Sequence, residues 1–194
     1  MNKELKRALR AQYRAARNAL TADQQSHAAQ QLCLQFTQAI QLQSEQHVGV
    51  YIANDGELSL SAVITQCWAK GINTYLPVLN TQQDGFLYFI HYHQDSPMQI
   101  NRFGIPEPEF DKNSCITVEN IDVLLMPLVA FDTQGKRLGM GGGFYDRTLA
   151  ELGQSNKPSL IGIAHDCQES EYIPDEPWDI PLNHILTPTR FLTF

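Results

Sequence analysis

The sequence predicts an α/β fold with a largely parallel central sheet flanked by helices, in a single domain spanning residues 1–194. Apolar runs of strand length alternate with helix-length segments along the chain, the pattern of sequential β–α units. The longest apolar run, Val123–Phe131, is broken only by Pro127 and reads as a buried central strand. A glycine-rich loop follows it and leads into a helix. Open α/β sheets bind ligands at the carboxyl ends of their strands, where such loops lie.

The elements follow in order. Residues 1–20 read as a helix carrying Lys3, Lys6, Arg7, Arg10, Arg14 and Arg17. These positions advance by three or four and so share one helical face, with Leu5, Leu9, Tyr13 and Ala16 as an apolar stripe beside it. Thr21-Ala-Asp-Gln24 is a capping box opening a second helix to about Ile40. Val48–Ala53 is a buried strand and Asn54-Asp55-Gly56 a turn. A helix from about Ser59 to Lys70 ends at Gly71. Ile72–Leu79 and Phe86–His93 are strands, and 94–120 is a polar, proline-bearing connection. After Val123–Phe131 come the loop of residues 131–147, a helix from about Gly143 to Leu152, and strands at Leu160–Ala164 and Ile185–Leu186.

Composition excludes several classes. The chain is 43% hydrophobic and 18% charged, which fits a folded protein rather than a disordered one. No apolar run approaches the roughly 18–20 residues of a membrane span, and the N-terminus lacks a secretory pattern. The net charge of −7 argues against nucleic-acid or anionic-membrane partners. Cys33, Cys67, Cys115 and Cys167 lack metal or redox spacing and read as free thiols of a cytoplasmic protein. The charge is unevenly spread. Residues 1–17 hold six basic side chains against Glu4, while the rest of the chain holds eight basic and twenty acidic ones. Such a strip is either a solvated face or a dock for a polyanionic small molecule such as a nucleotide.

The chemistry concentrates in Phe131–Arg147. Four glycines in the five positions 139–143 open the backbone to close approach by a ligand and let successive N–H groups converge. Lys136 and Arg137 precede them and Asp146 follows. Phosphate with Mg²⁺ needs this mixture of cations, bare amides and a carboxylate. No Gly-Lys-Ser/Thr is present, and Phe144 stands where a dinucleotide fingerprint begun at Gly139 needs Gly or Ala.

Arg137-Leu-Gly-Met-Gly-Gly-Gly-Phe-Tyr-Asp146 resembles the signature of the 5-formyltetrahydrofolate cyclo-ligases, also called methenyltetrahydrofolate synthetases. Lys6-Arg-Ala-Leu-Arg10, Gly56-Glu57-Leu58, Gly104-Ile-Pro-Glu-Pro108, Phe131-Asp132 and Glu176-Pro-Trp-Asp179 extend the resemblance over nearly the whole chain. It implies a Rossmann-like layer similar to the sugar-phosphate isomerase and CoA-transferase type. It also implies ATP-dependent, Mg²⁺-requiring conversion of 5-formyltetrahydrofolate to 5,10-methenyltetrahydrofolate. ATP contacts map onto Lys6, Arg7, Ala8, Leu9 and Arg10, and onto Arg137, Leu138, Gly139, Met140, Gly141, Gly142, Gly143, Phe144 and Tyr145. Folate contacts map onto Ile52, Glu57 and Met140–Phe144, and metal ligation onto Asp146 and Asp179. Arg137 and Glu57 are the expected catalytic residues. The loop departs from many relatives in having Met140 and Gly142 where a basic residue is common, and Phe144 where Tyr is common. A monomer binding small molecules is expected. A non-catalytic nucleotide- or folate-binding protein on the same scaffold is the alternative.

Overall fold

The computed structural model describes residues 2–152 and 158–194. Met1, the first residue of the expected N-terminal helix, lies outside them. Two helices lead, α1 (Asn2–Asn18) and α2 (Ala22–Ala39). The capping box between them is formed: the Gln24 amide donates to Thr21 Oγ1 at 3.2 Å, and the Thr21 amide to Gln24 Oε1 at 2.8 Å. Next come β1 (His47–Gly49), α3 (Ser61–Ala69), β2 (Asn73–Leu79) and β3 (Leu87–Tyr92). A hairpin, β4 (Met98–Ile100) and β5 (Pro106–Pro108), precedes β6 (Cys115–Ile116) and β7 (Val123–Pro127). A second hairpin, β8 (Ala130–Phe131) and β9 (Arg137–Leu138), leads into α4 (Phe144–Ala150). The chain ends with β10 (Ser159–Ile163), β11 (His184–Leu186) and β12 (Phe191–Thr193).

Eight strands form one sheet in the order β12-β11-β10-β7-β1-β2-β3-β6. The four pairings from β11 to β2 are parallel and the outer ones antiparallel. The fold is therefore mixed α/β, with a mostly parallel central sheet as expected. Alternation along β7 explains its place at the centre. Val123 and Leu125 pack with α2 and α3 residues Leu32, Phe36, Val63 and Ile64 on one face. Leu124 and Met126 pack with Leu149 of α4 and with Phe89 on the other. A strand covered on both faces needs apolar side chains at every position.

Several boundaries differ from the expectation. The 48–53 run keeps strand pairing only to Gly49. The 123–131 run is two strands, not one. β7 stops at Pro127, which has no N–H to continue a central ladder. The carbonyls that follow are taken by side chains: Leu128 O accepts from Arg17 and Gln168, and Val129 O from Gln168. The connection 94–120 contains the β4–β5 hairpin and β6, whose two- and three-residue strands, with Pro106 and Pro108 among them, leave no periodic signal. The helix expected over Gly143–Leu152 is α4, seven residues long, with Gly143 as its N-cap. No helix among the described residues is long and apolar enough to cross a membrane. All four cysteines are free thiols.

Candidate functional site

α1 lays Lys6, Arg10, Arg14 and Arg17 of its basic face on the body of the protein, while Lys3 and Arg7 are exposed. Lys6 Nζ donates to Asp179 Oδ2 at 2.8 Å, and Arg10 Nε to the Gly139 carbonyl at 2.7 Å. Arg14 Nε donates to Asp55 Oδ2 at 2.7 Å. Arg17, on the same face, is fully buried. The apolar contribution is narrower than expected: Leu9 and Tyr13 pack with Val129, Ala130, Leu138 and Ile173, whereas Leu5 is exposed. Arg7 and Ala8 are exposed, and neither makes a side-chain hydrogen bond or ion pair among the described residues. Of the five consecutive residues expected at the nucleotide, the structure thus brings Lys6, Leu9 and Arg10 to the loop side of the helix.

The glycine loop begins where β9 ends. Gly139, Met140, Gly141 and Gly142 are exposed. Gly141 and Gly143 have φ of +101° and +67°, a region that an L side chain enters only with strain. A Cβ on Gly141 would meet the Arg10 guanidinium at 3.3 Å, and one on Gly143 would meet Arg147 Nη1 at 3.0 Å. Arg147 was not among the sequence candidates. Its Nε donates to the Gly85 carbonyl at 2.9 Å, its Nη2 donates to the Gly142 carbonyl, and its guanidinium lies over the Phe144 ring. Arg10 and Arg147 thus hold the two ends of the loop by its carbonyls, and Met140 is the one side chain the loop carries between them.

Arg137 and Asp146 form one unit beneath the loop. Arg137 Nη2 donates to Asp146 Oδ1 and Nη1 to the Ile180 carbonyl, both at 2.7 Å. The Arg137 side chain is only 6% exposed. The Ile180 amide donates to the same Asp146 oxygen at 3.2 Å, which brings Asp146 to the segment carrying Asp179. Asp179 Oδ2 accepts from Lys6 and from the Glu176 amide. Asp146 Oδ2 and Asp179 Oδ1 make no hydrogen bond among the described residues, and both side chains are 24% exposed.

Glu57 lies on the other side of α1's anchor. The Asn54 amide donates to its Oε2 at 3.0 Å, and Arg17 Nη2 stands 3.8 Å from its Oε1. Burial pushes the Glu57 carboxyl above the usual carboxylate range. The Asn54 amide and the Arg17 charge oppose the shift, and Asp55 adds to it. Burial, with the Glu57 charge nearby, pushes the Tyr51 and Tyr145 phenols up as well. Ile52 is half-buried against the α2–α3 side of the core. A cavity of about 530 Å³ opens beside the loop, lined among others by Leu79, Asn80, Gln99, Asn101, Glu107 and Phe144. Of the expected folate residues Phe144 alone lines this cavity; Ile52, Glu57 and Met140–Gly143 do not. The ring of Phe103 meets Phe144 edge-on at 5.8 Å. Arg147, though only five residues from Gly142, was missed because its other partner, Gly85, lies 62 positions away, and Arg17 because Asp55 and Leu128 lie 38 and 111 positions away. No local spacing reports such contacts.

Residues 2–188 match the 5-formyltetrahydrofolate cyclo-ligase family. The chain is 44% identical over 177 residues to the 5-formyltetrahydrofolate cyclo-ligase of Escherichia coli K12, covering 91% of this chain and 97% of that one. It is 41% identical over 187 residues to the enzyme of the same name from Haemophilus influenzae, covering 96% and 99%. Among solved structures it is similar to the 5,10-methenyltetrahydrofolate synthetase of Aquifex aeolicus, with a TM-score of 0.83, 25% identity, and 97% and 92% of the two chains covered. The synthetase of Mycoplasma pneumoniae gives a TM-score of 0.73 at 25% identity, over 94% and 98%. With the glycine loop, the docked basic helix and near-complete coverage in agreement, the chain belongs to the 5-formyltetrahydrofolate cyclo-ligase family.

Proposed function

We propose that the protein closes 5-formyltetrahydrofolate to 5,10-methenyltetrahydrofolate at the expense of ATP, releasing ADP and phosphate. The observation that carries this reading is the docking of α1 on the glycine loop. Arg10 grips Gly139, and Lys6 grips Asp179 beside the Arg137–Asp146 pair. The triphosphate lies along Lys6–Arg10 and Arg137–Tyr145, with Arg7 and Ala8 at the outer edge. Folate is held by Ile52, Glu57 and the Met140–Phe144 stretch, with Phe144 packing rather than hydrogen bonding.

A formyl oxygen on nitrogen is a poor leaving group. Transfer of the γ-phosphoryl group to that oxygen breaks the bond to ADP and makes an imidate-like phosphate. N10 then attacks the formyl carbon, loses its proton, and phosphate departs with the oxygen. Catalysis of this kind is mostly positioning and charge neutralisation. In this reading the loop amides and Arg10 meet phosphate oxygens. Arg137 has spent donors on Asp146 and Ile180 and is nearly buried. Its part is to hold Asp146 and the base of the loop, which narrows the direct phosphate contact expected from sequence. Glu57, held between the Asn54 amide and Arg17, orients the pterin or N10 through a hydrogen bond.

Mg²⁺ fits the donors present. Each of Asp146 and Asp179 keeps one carboxylate oxygen clear of protein partners among the described residues. Mg²⁺ is ordinarily held by one or two carboxylates together with phosphate oxygens and water. No group of three or more His, Cys, Asp or Glu suited to an all-protein metal site occurs among the described residues. When bound, Mg²⁺ neutralises phosphate charge. The reading also takes the protein to be a cytoplasmic monomer acting on small molecules, without nucleic-acid or membrane partners.

Purified protein with 5-formyltetrahydrofolate, ATP and Mg²⁺ is expected to develop the near-ultraviolet absorbance of the methenyl product. Folate binding without that signal, or without ATP consumption, overturns the reading in favour of a non-catalytic binder.

A further inference from the structure

The guanidinium of Arg17 is the largest fully buried charged group in the molecule's described residues. Burying a guanidinium is costly, and an apolar side chain of similar volume fills such a space at less cost. Its contacts indicate what is gained. Nε donates to the Asp55 carbonyl at 2.7 Å, Nη2 to Asp55 Oδ2 at 2.9 Å, and Nη1 to the Leu128 carbonyl at 3.1 Å. The same Nη2 stands 3.8 Å from Glu57 Oε1 and 4.0 Å from Met140 Sδ. One planar fork therefore joins the turn before Glu57, the carboxyl end of β7 and the glycine loop. A lysine ammonium has no fixed fork with which to do this.

The turn itself is held from the protein side by several contacts. Asp55 has φ +50° and Gly56 +72°. A Cβ on Gly56 would stand 2.5 Å from Asn18 Oδ1, so the turn lies directly on the end of α1. Gln25 Nε2 donates to both the Arg17 and Gly56 carbonyls. Beneath lies His165, 2% exposed, whose Nε2 makes no hydrogen bond meeting ordinary geometry. Burial pushes its imidazole down, and the Gly56 backbone opposes that shift. These contacts fix the Asp55–Glu57 backbone more firmly than a surface turn requires.

We propose that Arg17 is a positioning residue of the cyclo-ligase reaction, holding the Glu57 carboxylate in register with the glycine loop by tying the Asp55–Glu57 turn to β7 and to Met140. The proposal rests on the reading that Glu57 contacts folate. The charged and titratable groups around Glu57 are Arg17 and, on Asp55, Arg14 from α1, Asp55 from its own turn, Tyr51 after β1, Tyr145 from α4 and the buried His165. Arg17 is the cation that acts on the carboxyl itself, and it opposes the effect of burial there. Without it, Glu57 takes up a proton at higher pH. Activity that needs the carboxylate then falls away at higher pH too.

The test compares Arg17→Met, Arg17→Lys and Glu57→Gln by steady-state kinetics across pH, with KM measured separately for 5-formyltetrahydrofolate and ATP. Arg17→Met is expected to raise the folate KM about tenfold, the scale of one hydrogen bond to a charged group. The ATP KM should change far less, and the acid limb of kcat/KM should move to higher pH, with Arg17→Lys between. A wild-type acid limb in Arg17→Met, or equal losses for folate and ATP, overturns the proposal. Glu57→Gln separates the two readings. If it keeps a wild-type folate KM, the Glu57 assignment fails. If it is impaired while Arg17→Met is not, only the Arg17 proposal fails. Should Arg17→Met not fold, Asp55→Asn loosens the same anchor from its half-exposed side. It must then show the same folate-selective pattern, and its absence counts against the proposal.

Discussion

Arg137→Ala is expected to cost stability as well as turnover, and the size of the loss follows from two hydrogen bonds. The guanidinium donates at 2.7 Å to both Asp146 Oδ1 and the Ile180 carbonyl, from a side chain 6% exposed. Breaking a buried ion pair typically costs about 3–5 kcal/mol. Asp146 is 24% exposed and keeps the Ile180 amide, so water reaches the orphaned carboxylate and the loss falls at the lower end, about 3 kcal/mol. In a chain of this length each kcal/mol moves Tm by about 2–4 °C, which gives a drop of roughly 6–12 °C. Asp146→Asn keeps an acceptor for Arg137 and should lose only about 1 kcal/mol. The assay is thermal unfolding by circular dichroism for all three proteins, followed by turnover at a temperature where each is folded. Both variants should turn over far more slowly than their folded fractions allow, because both disturb the carboxylate proposed to hold Mg²⁺. A Tm for Arg137→Ala within about 1 °C of the parent would refute the reasoning about the pair. Wild-type turnover in the folded variants would refute its part in the reaction.

Other outcomes follow from the same geometry. Gly143→Ala places a side chain at φ +67° and 3.0 Å from Arg147; it should lose about 1–2 kcal/mol in chemical denaturation and weaken ATP more than folate in equilibrium titrations. Removing the charges of Lys6 and Arg10 together should raise the ATP KM more than the folate KM, and equal increases would contradict the dock assigned to α1. The Asp55 carboxyl is held down to about 2, first by the Arg14 hydrogen bond and then, against burial, by Arg17 and Asn18. A depressed carboxyl stabilises the fold above its unfolded value and loses that contribution as pH falls through the folded one. After allowance for solvent screening the contribution is about 1 kcal/mol. Acid titration of stability between about pH 4 and 2 should therefore be flatter in Asp55→Asn than in the parent.

The sequence is most informative where a feature is local. Thr21 and Gln24 are three residues apart, and their mutual hydrogen bonds are present. The glycines of 139–143 announce an open loop by composition alone, and the basic spacing along residues 3–17 reports the face of α1 on which Lys6, Arg10, Arg14 and Arg17 dock. What the sequence hides is set by distant partners. The Val123–Phe131 run looks continuous because apolarity does not record that Leu128 O turns to Arg17 and Gln168 after Pro127. Arg137 looks like a free cation beside a loop until Ile180, 43 positions later, takes one of its donors. Arg147 reads as a helix-surface residue, although Gly85 and Gly142 make it a clamp. The cavity beside Phe144 is walled by the β4–β5 hairpin, whose three-residue strands carry too few positions to show a period.

The central claim is that the bend at Gly139–Gly143, gripped by Arg10 and Arg147, holds the triphosphate. A crystal structure with a non-hydrolysable ATP analogue and Mg²⁺ tests it directly. The expected density puts phosphate oxygens against the amides of that bend, with the ion between them and Asp146 or Asp179. A bare bend with the triphosphate bound elsewhere on the protein would contradict it.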